Sequence, residues 1–361
     1  MVTHEAARRA VRTWGRTASA HQSLGESLLR WVHEPSGTLV AYAPARASPF
    51  GPAVWVVAGE PIGPPARTAE AAAAFVAHAR QRGARTLWFG VERPDLLGIV
   101  GPRLVIGAQP WFRVGGWTER LAQKASLRAQ VRRARNKGVR VDERPADDVA
   151  DLLPVLEEWT RGRGLPRLSF LADPLVLCDA GDRRLFVASA EGRALAYALI
   201  APIPAQGAWH LEWIVQSAPA PNGTPSLLVD AVCRALPGDA DLTLGLVPLS
   251  THAPLSEAAP PLLVRALLRW TRAHARRFYN FEGLERFKAK FLPDRWQPLW
   301  LVAPAGITLG TFYAVADAFS GPRGPARLVA RALADAVASE ASALGRRISW
   351  PRSGRLPGSS G

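Results

Sequence analysis

Apolar and polar positions alternate in two rhythms along this chain. Short runs rich in β-branched and aromatic residues, TLVAYAPA (38–45) and AVWVVAGE (53–60), are bounded by Gly and Pro and predict strands. RTAEAAAAFVAHARQR (67–82) then predicts a helix, with Gly83 as its stop. ARTLWFGVE (84–92) and RLVIGAQPWFRV (103–114) predict two further strands. A strongly basic helix is expected over 119–137, ending at Gly138.

The second half repeats this order. A helix is predicted over 147–161. RLFVASA (184–190) and ALAYALIAPI (194–203) flank a Glu191-Gly192 turn and read as a hairpin. AWHLEWIV (208–215) is a strand, 223–236 a helix and DLTLGLVPL (241–249) a strand. Helices over 258–277 and 281–291 and a strand over 297–303 follow. Two α/β lobes of similar topology are therefore expected, each with a mixed sheet, divided near residue 145. The corresponding domains are 1–145, 146–305 and a C-terminal helical tail over 306–361. In that tail Leu333, Val337 and Leu344 can share a face, with Arg323, Arg327 and Arg331 early in the segment. A packing helix accounts for them better than an interfacial one, because the apolar face is mostly Ala. The end, SGRLPGSSG, is expected to be disordered.

Composition narrows the function. The 361 residues are 48% hydrophobic and 21% charged, enough for a sizeable core. The 13 Trp run from Trp14 to Trp350, which suggests packing and pocket walls. A formal net charge of +15 attracts polyanions such as nucleic acid or anionic lipid. An Arg-rich composition from GC-rich coding DNA is the competing explanation of the bulk charge. Cys178 and Cys233 have no CxxC spacing and read as ordinary reduced thiols. The N-terminus is polar and basic, unlike a signal peptide, and no run of about 18 apolar residues exists to span a bilayer. The expected location is cytoplasmic, with any lipid met from the water side, at most peripheral to the inner membrane surface.

Three segments carry candidate chemistry. In the basic helix, Lys124, Arg128, Arg132 and Arg135 share a face beside an apolar stripe of Leu127, Val131 and Ala134. No acid lies between Arg120 and Val141. Such a row suits a sugar-phosphate backbone, though a solvated basic face is the commoner fate of a charge run. The second segment takes a strand carrying Glu212 into a Pro-rich turn, after which Asn222, Gly223 and Thr224 open a helix. Its N-terminus can cradle an anion or a developing oxyanion. Asn222 or Thr224 can equally serve as an N-cap alone. Glu212, if it faces inward, is costly unless paired or used. The third segment, YNFEGLERFKAKFLPDRWQPLWLV (279–302), brings Asn280, Arg286, Lys288 and Lys290 to the edge of the second lobe. Phe281, Leu284, Phe287, Lys288 and Phe291 come close to one helix face. Ser250 and His252 lack the glycine context of a nucleophile elbow. No metal or dinucleotide signature is present, and no cofactor is expected.

AGEPIGP (58–64), LRAQVRRARNKGV (127–139), LEWIVQSAPAPNGT (211–224), LGLVPLS (244–250) and NFEGLERFKAKFLPDRWQPLWLV (280–302) occur in this order. The ordered set resembles the phosphatidylglycerol lysyltransferase C-terminal domain family. The resemblance implies two tandem acetyltransferase-like lobes and transfer of an aminoacyl group from aminoacyl-tRNA to a lipid hydroxyl. It implies aminoacyl-tRNA and an anionic membrane surface or lipid as partners. Glu212 stands where the family usually has Asp, Val215 where it has Arg, and Pro225-Ser226 where it has Met-Asp. Under this reading Glu212, Lys288 and Lys290 are the catalytic candidates. Glu212 would meet the aminoacyl ammonium or the hydroxyl proton, and a lysine would hold a phosphate. The N–H groups near Asn222 and Gly223 would face the oxyanion. Asn222, Gly223, Thr224, Asn280 and Arg286 would line the substrate, and Lys124, Arg128, Arg132 and Arg135 would bind tRNA. Glu212, Asn222, Lys288 and Lys290 are expected to meet in one cleft. Two alternatives remain: an acyl-CoA-dependent N-acyltransferase on the same lobes, and a non-catalytic binding module.

Overall fold

The computed structural model describes residues 3–162, 168–179, 181–253, 280–321 and 324. The fold is α/β, and its mixed sheet is assembled from two halves. Twelve strands make up the sheet: β1 (Leu29–His33), β2 (Thr38–Arg46), β3 (Ala53–Ala58), β4 (Ala84–Val91), β5 (Arg103–Arg113), β6 (Arg140–Arg144), β7 (Arg184–Ala190), β8 (Arg193–Ile203), β9 (Ala208–Gln216), β10 (Asp241–Thr243), β11 (Val247–Pro248) and β12 (Arg295–Val302). Their order is β1-β2-β3-β4-β12-β5-β10-β9-β8-β7-β6, with the short β11 also on β5. The sheets of the two halves join edge to edge where β5 meets β10 (Leu242 opposite Phe112), so the division expected near 145 is no break in the sheet. β12 does not extend the second half. It inserts between β4 and β5, antiparallel to both.

Period-two alternation decides which helix covers which face. Val40 and Tyr42 point to α2 (Thr68–Gln81) and join Phe75 and Trp88 in one cluster. Ala41, Ala43 and Ala45 point the other way, toward Ala314 and Ala318 of a helix over Leu309–Ser320. In the second half α4 (Ala125–Asn136) and α6 (Thr224–Ala235) cover one face, and α5 (Leu153–Arg161) covers the other. Val215 is fully buried beside α5 with Leu156 and Leu199.

Several expected elements differ in detail. The basic helix over 119–137 is two helices, α3 (Trp117–Gln123) and α4, because Lys124 leaves the helical region at φ −102°, ψ 89°. The strand over 241–249 breaks into β10 and β11 at Gly245, whose φ is 73°. The helix expected from 147 starts at Leu153, after a single 3-10 turn. A helix over His4–Trp14 (α1), β1 and β6 were not anticipated; Thr3 caps α1 by accepting from the Ala6 N–H. α7 (Phe281–Ala289) and α8 (Leu309–Ser320) complete the helices of the described residues. The helix expected over 258–277, the tail from 325 and Arg323 lie outside the described residues. No described helix is long and apolar enough to cross a membrane.

Candidate functional site

A line of buried polar side chains crosses the junction of the two halves. It runs from Glu92, just past β4, past the half-buried Gln297 on β12, through Gln109 on β5 and Thr243 on β10 to His210 and Glu212 on β9. The buried segment from Gly15 to Leu24 straps across it. The Ala18 N–H donates to Glu92 Oε1 (2.9 Å), the Ala205 N–H donates to Gly15 O (2.9 Å), and Arg183 donates to His21 O (3.3 Å). The strap thus ties both halves over the polar line.

A β-bulge sets the direction of Glu212. Leu199 pairs with Trp213 and Ile200 with Leu211, which leaves Glu212 as the extra residue. Such an insertion re-aims a side chain that plain alternation would assign to a sheet face. Glu212 is fully buried and accepts from Arg183 Nε at 2.6 Å and from its terminal nitrogen at 3.2 Å. Burial alone would raise its pKa. The Arg183 charge and hydrogen bonds outweigh that, and His210 and His21 act in the same direction, so the carboxylate is held below its ordinary range. Burial takes His210 and His21 down to about 4, so both rings are neutral at pH 7. Among the described residues, His210 Nδ1, both His21 ring nitrogens and Gln109 Oε1 are buried without a hydrogen-bond partner. Buried polar groups rarely stay so without a use.

Lys288 reaches the same region from α7. Its Nζ donates to the carbonyls of Gly245 and Leu246, each at 3.0 Å, and burial lowers its pKa to about 7. Gly245 also touches His210: a Cβ there would lie 2.5 Å from His210 Nε2, so only glycine lets the strand break approach the ring. Lys290 turns elsewhere, to the seam of α4 and α6. It donates to Ser226 Oγ (2.8 Å) and Gln130 Oε1 (3.0 Å), lies 4.1 Å from the centre of the Phe287 ring, and is lowered by burial to about 8. Ser226 donates to Gln130 Oε1 at 2.7 Å.

The expected constellation is therefore divided. Lys288 lies near His210, whose titration is sensitive both to it and to Glu212, while Glu212's direct partner is Arg183. Lys290 belongs to a separate polar seam. Asn222 is exposed, and the N-cap of α6 is Gly223 with no side-chain cap bond, so neither Asn222 nor Thr224 caps the helix. The Thr224 hydroxyl donates to Pro221 O, and the Thr224 and Ser226 N–H groups donate to the carbonyls of Pro221 and Gly223. Gly223, at φ 103°, packs against α4, where a Cβ would lie 2.2 Å from Gln130 O. Asn280 caps α7 by accepting from the Gly283 N–H at 2.8 Å. Arg286 is exposed beside Glu282.

The basic row is also divided. Lys124 sits at the break between α3 and α4. Arg128 folds back onto the carbonyls of Leu121 and Ala122. Arg135 pairs at 2.6 Å with Asp230, a fully buried carboxylate that also takes Trp117 Nε1 and Arg234. Arg132 is exposed, as are Arg133 and Lys137.

A second acidic pair was not foreseen. Glu60 accepts from the Glu92 and Arg93 N–H groups, and its pKa is raised because burial outweighs those donors. Burial raises Glu92 to about 7. Both acids end apolar strand runs, AVWVVAGE and ARTLWFGVE, which is the signal that could have found them. Among the described residues no three His, Cys, Asp or Glu side chains form a metal-holding group.

Comparison with known proteins places this architecture. Residues 45–303 match the family described as phosphatidylglycerol lysyltransferase, C-terminal. The chain belongs to that family. With it comes the transferase class, of the lysylphosphatidylglycerol synthase type. A similar solved structure is the C-terminal domain of an Agrobacterium fabrum protein assigned as a lysylphosphatidylglycerol synthetase. It is 20% identical with a TM-score of 0.73, covering 89% of this chain and 98% of that one. L-PGS from Bacillus licheniformis is 19% identical with a TM-score of 0.72, covering 89% and 97%. A Bacteroides thetaiotaomicron protein of unknown function is 12% identical with a TM-score of 0.56, covering 84% and 97%. No curated protein matches the chain significantly.

Proposed function

We propose that this family member transfers an aminoacyl group from aminoacyl-tRNA to the hydroxyl of a phosphatidylglycerol-like lipid. In such an ester exchange the acceptor oxygen bonds to the aminoacyl carbonyl carbon. The bond from that carbon to the ribose oxygen breaks, and the acceptor proton ends on the ribose oxygen. The step needs a group that exchanges protons near neutral pH and a polar enclosure for the developing charge. Lys288 meets the first need, since a pKa of about 7 leaves it partly unprotonated at pH 7. His210, whose buried Nδ1 has no hydrogen-bond partner, meets the second when that nitrogen carries the ring proton and donates. Glu212, fixed as an anion by Arg183, serves as a positioning charge for the aminoacyl ammonium rather than as a base. Lys290 remains the candidate for a phosphate, at the α4–α6 seam.

The observation that carries this reading is the placement of Lys288 against His210, at the junction of the two halves, in a chain of this family. The test incubates purified protein with charged tRNAs and vesicles of bacterial lipid, and reads new aminoacyl lipid by mass spectrometry. Transfer should rise as pH increases through about 7, where Lys288 loses its proton. Lys288→Met should lower transfer by about 100-fold or more without changing the melting temperature greatly. Tight tRNA binding with no transfer at any pH would replace the enzyme by a binding module.

A further inference from the structure

One carboxyl and two amides form a chain at the junction of the halves. Glu92 Oε1 accepts from the Ala18 N–H at 2.9 Å, which leaves Oε2 for Gln297. Gln297 Nε2 donates to Glu92 Oε2 at 3.3 Å, and Gln109 Nε2 donates to Gln297 Oε1 at 3.3 Å. A hydrogen bond from the Gln109 side chain also lowers the Glu92 pKa, so the amide nitrogen is the end turned to the acid. Gln109 Oε1 is left at the far end, buried and without a hydrogen-bond partner. Pairing puts that end beside the candidate site. Gln297 lies opposite Gln109, Trp111 opposite Thr243, and Thr243 opposite His210. Opposed residues, and residues two apart on a strand, share a sheet face, so Gln297, Gln109, Thr243 and His210 line one face. Ala18 of the strap packs on Trp111 of that face. The Leu244 N–H donates to Pro110 O at 3.2 Å, so Gln109 stands where the strand breaks at Gly245, whose carbonyl takes Lys288.

Charge sets the direction of this chain. An ionised carboxylate only accepts, so each amide must turn its nitrogen toward Glu92 and its oxygen away. Hydrogen bonds in series polarise one another, which makes the last oxygen a stronger acceptor. Among the described residues no lysine or arginine hydrogen-bonds Glu92. Its charged neighbour is Glu60, past the end of β3, and Arg93 and Arg16 of the strap act on Glu60. A buried anion so placed favours a cation at the end of its chain.

We propose that Gln109 is a specificity-determining residue of this site. Its amide oxygen accepts a hydrogen bond from the ammonium of the aminoacyl group, and Glu92, acting through Gln297, is the positioning residue that holds that oxygen outward. This rests on the aminoacyl-donor reading above. An amide oxygen repels a phosphate or an oxyanion and takes only an N–H or O–H donor. In the transfer, the ammonium is the donor that carries positive charge. Glu212 can supply charge to it, but both Glu212 oxygens are already engaged by Arg183, so the ammonium needs a further acceptor. Gln109 has no exposed surface, and the strap must lift for the ammonium to enter.

The test titrates the full chain by calorimetry with a panel of amino-acid amides, soluble mimics of the aminoacyl end, and with their N-acetyl counterparts. The best free-amino compound should bind about 10-fold or more tightly than its acetylated form. Glu92→Gln keeps an oxygen for the Ala18 N–H and turns a nitrogen toward Gln297, which reverses both amides and points the Gln109 nitrogen outward. It should weaken binding of the free-amino compound by about 10-fold or more. Adding Gln109→Glu should restore that binding, because the two isosteric changes exchange carboxylate and amide along the chain. The ratio of wild-type to Glu92→Gln affinity should shrink toward one from about pH 8 to about pH 6. Over that range Glu92, with a pKa of about 7, takes up a proton and can itself donate to an amide oxygen. Ionisation of the ligand and of Lys288 acts on both chains and cancels in the ratio. Equal binding of free and acetylated compounds, or of neither, would overturn the proposal. So would a double variant no tighter than Glu92→Gln alone. Glu92→Gln removes a buried charge, so it should melt no lower than wild type at about pH 8, and its weaker binding is then not misfolding. Discrimination with rescue but without transfer to lipid would remove the transfer reading and keep Gln109 as the ammonium acceptor. Transfer without discrimination would do the reverse.

Discussion

Glu92 and Glu212 are both buried, one on each side of the junction, and their surroundings drive them in opposite directions. Glu212 faces a guanidinium and stays ionised. Glu92 meets a backbone N–H, a glutamine amide and a second carboxylate, Glu60, and titrates near 7. Burial is nearly the same for the two. What separates them is a full positive charge within hydrogen-bond reach. The second half has a fixed anion, and the first half has a carboxyl that gains and loses its proton around neutrality.

Removing the guanidinium sharpens this contrast most. Arg183→Met should cost about 3–5 kcal/mol, because it strands a buried carboxylate. Glu212→Gln in the same chain should recover most of that loss, and urea unfolding of the four chains of the cycle would measure it. A cost near that of a surface pair, about 0–1 kcal/mol, would mean that Glu212 needs no partner.

The pH dependence tests the other half. Glu92 has a folded pKa of about 7 against an ordinary 4.5, so the native chain binds the extra proton between those values. Its contribution is therefore most favourable below about 4.5 and is lost as pH rises through 7, by up to about 3 kcal/mol. His21 and His210, lowered to about 4, work the other way. Their contribution is complete above 6.5 and is lost as pH falls toward 4. Glu92→Gln should keep the histidine rise and shrink the fall above pH 5, leaving the part that the raised Glu60 contributes. A variant whose stability curve parallels the wild type would show that Glu92 is no different from Glu212.

The smallest effect is expected on the basic helix. Arg128 and Arg135 are engaged within the fold, so Arg132→Gln should lower the tRNA log-log salt slope by only about 1. A slope loss near 3 from this single change would place the whole row on the phosphates.

Much of the fold could be read from residue order, because alternation in β2, β3 and β4 matches the two faces their helices cover. The break at Lys124 could not, since helix propensity runs unbroken through ERLAQKASLRAQ and only packing of α3 and α4 separates them. Glu212 was recognisable as a buried acid. Its partner was not, because Arg183 and Arg184 are adjacent and alike, yet one enters the interior and the other pairs with Glu143 near the surface. The bulge that selects Glu212 depends on pairing with β8, information absent from any local window. The polar strap was missed for a similar reason: GRTASAHQSL looks like a loop, and its burial comes from the two halves it bridges.

The insertion of β12 imposes an order in time. β4 and β5 leave the ribosome early, yet the strand that belongs between them comes about 180 residues after the end of β5. At ordinary elongation rates that is a wait of roughly 10–40 s. Throughout it, two largely apolar strands hold open a slot with unpaired backbone on both sides, the kind of edge that recruits stray strands. The amino-terminal half of this molecule is thus completed last, and a chain that stops before residue 295 leaves the ribosome with that slot still open.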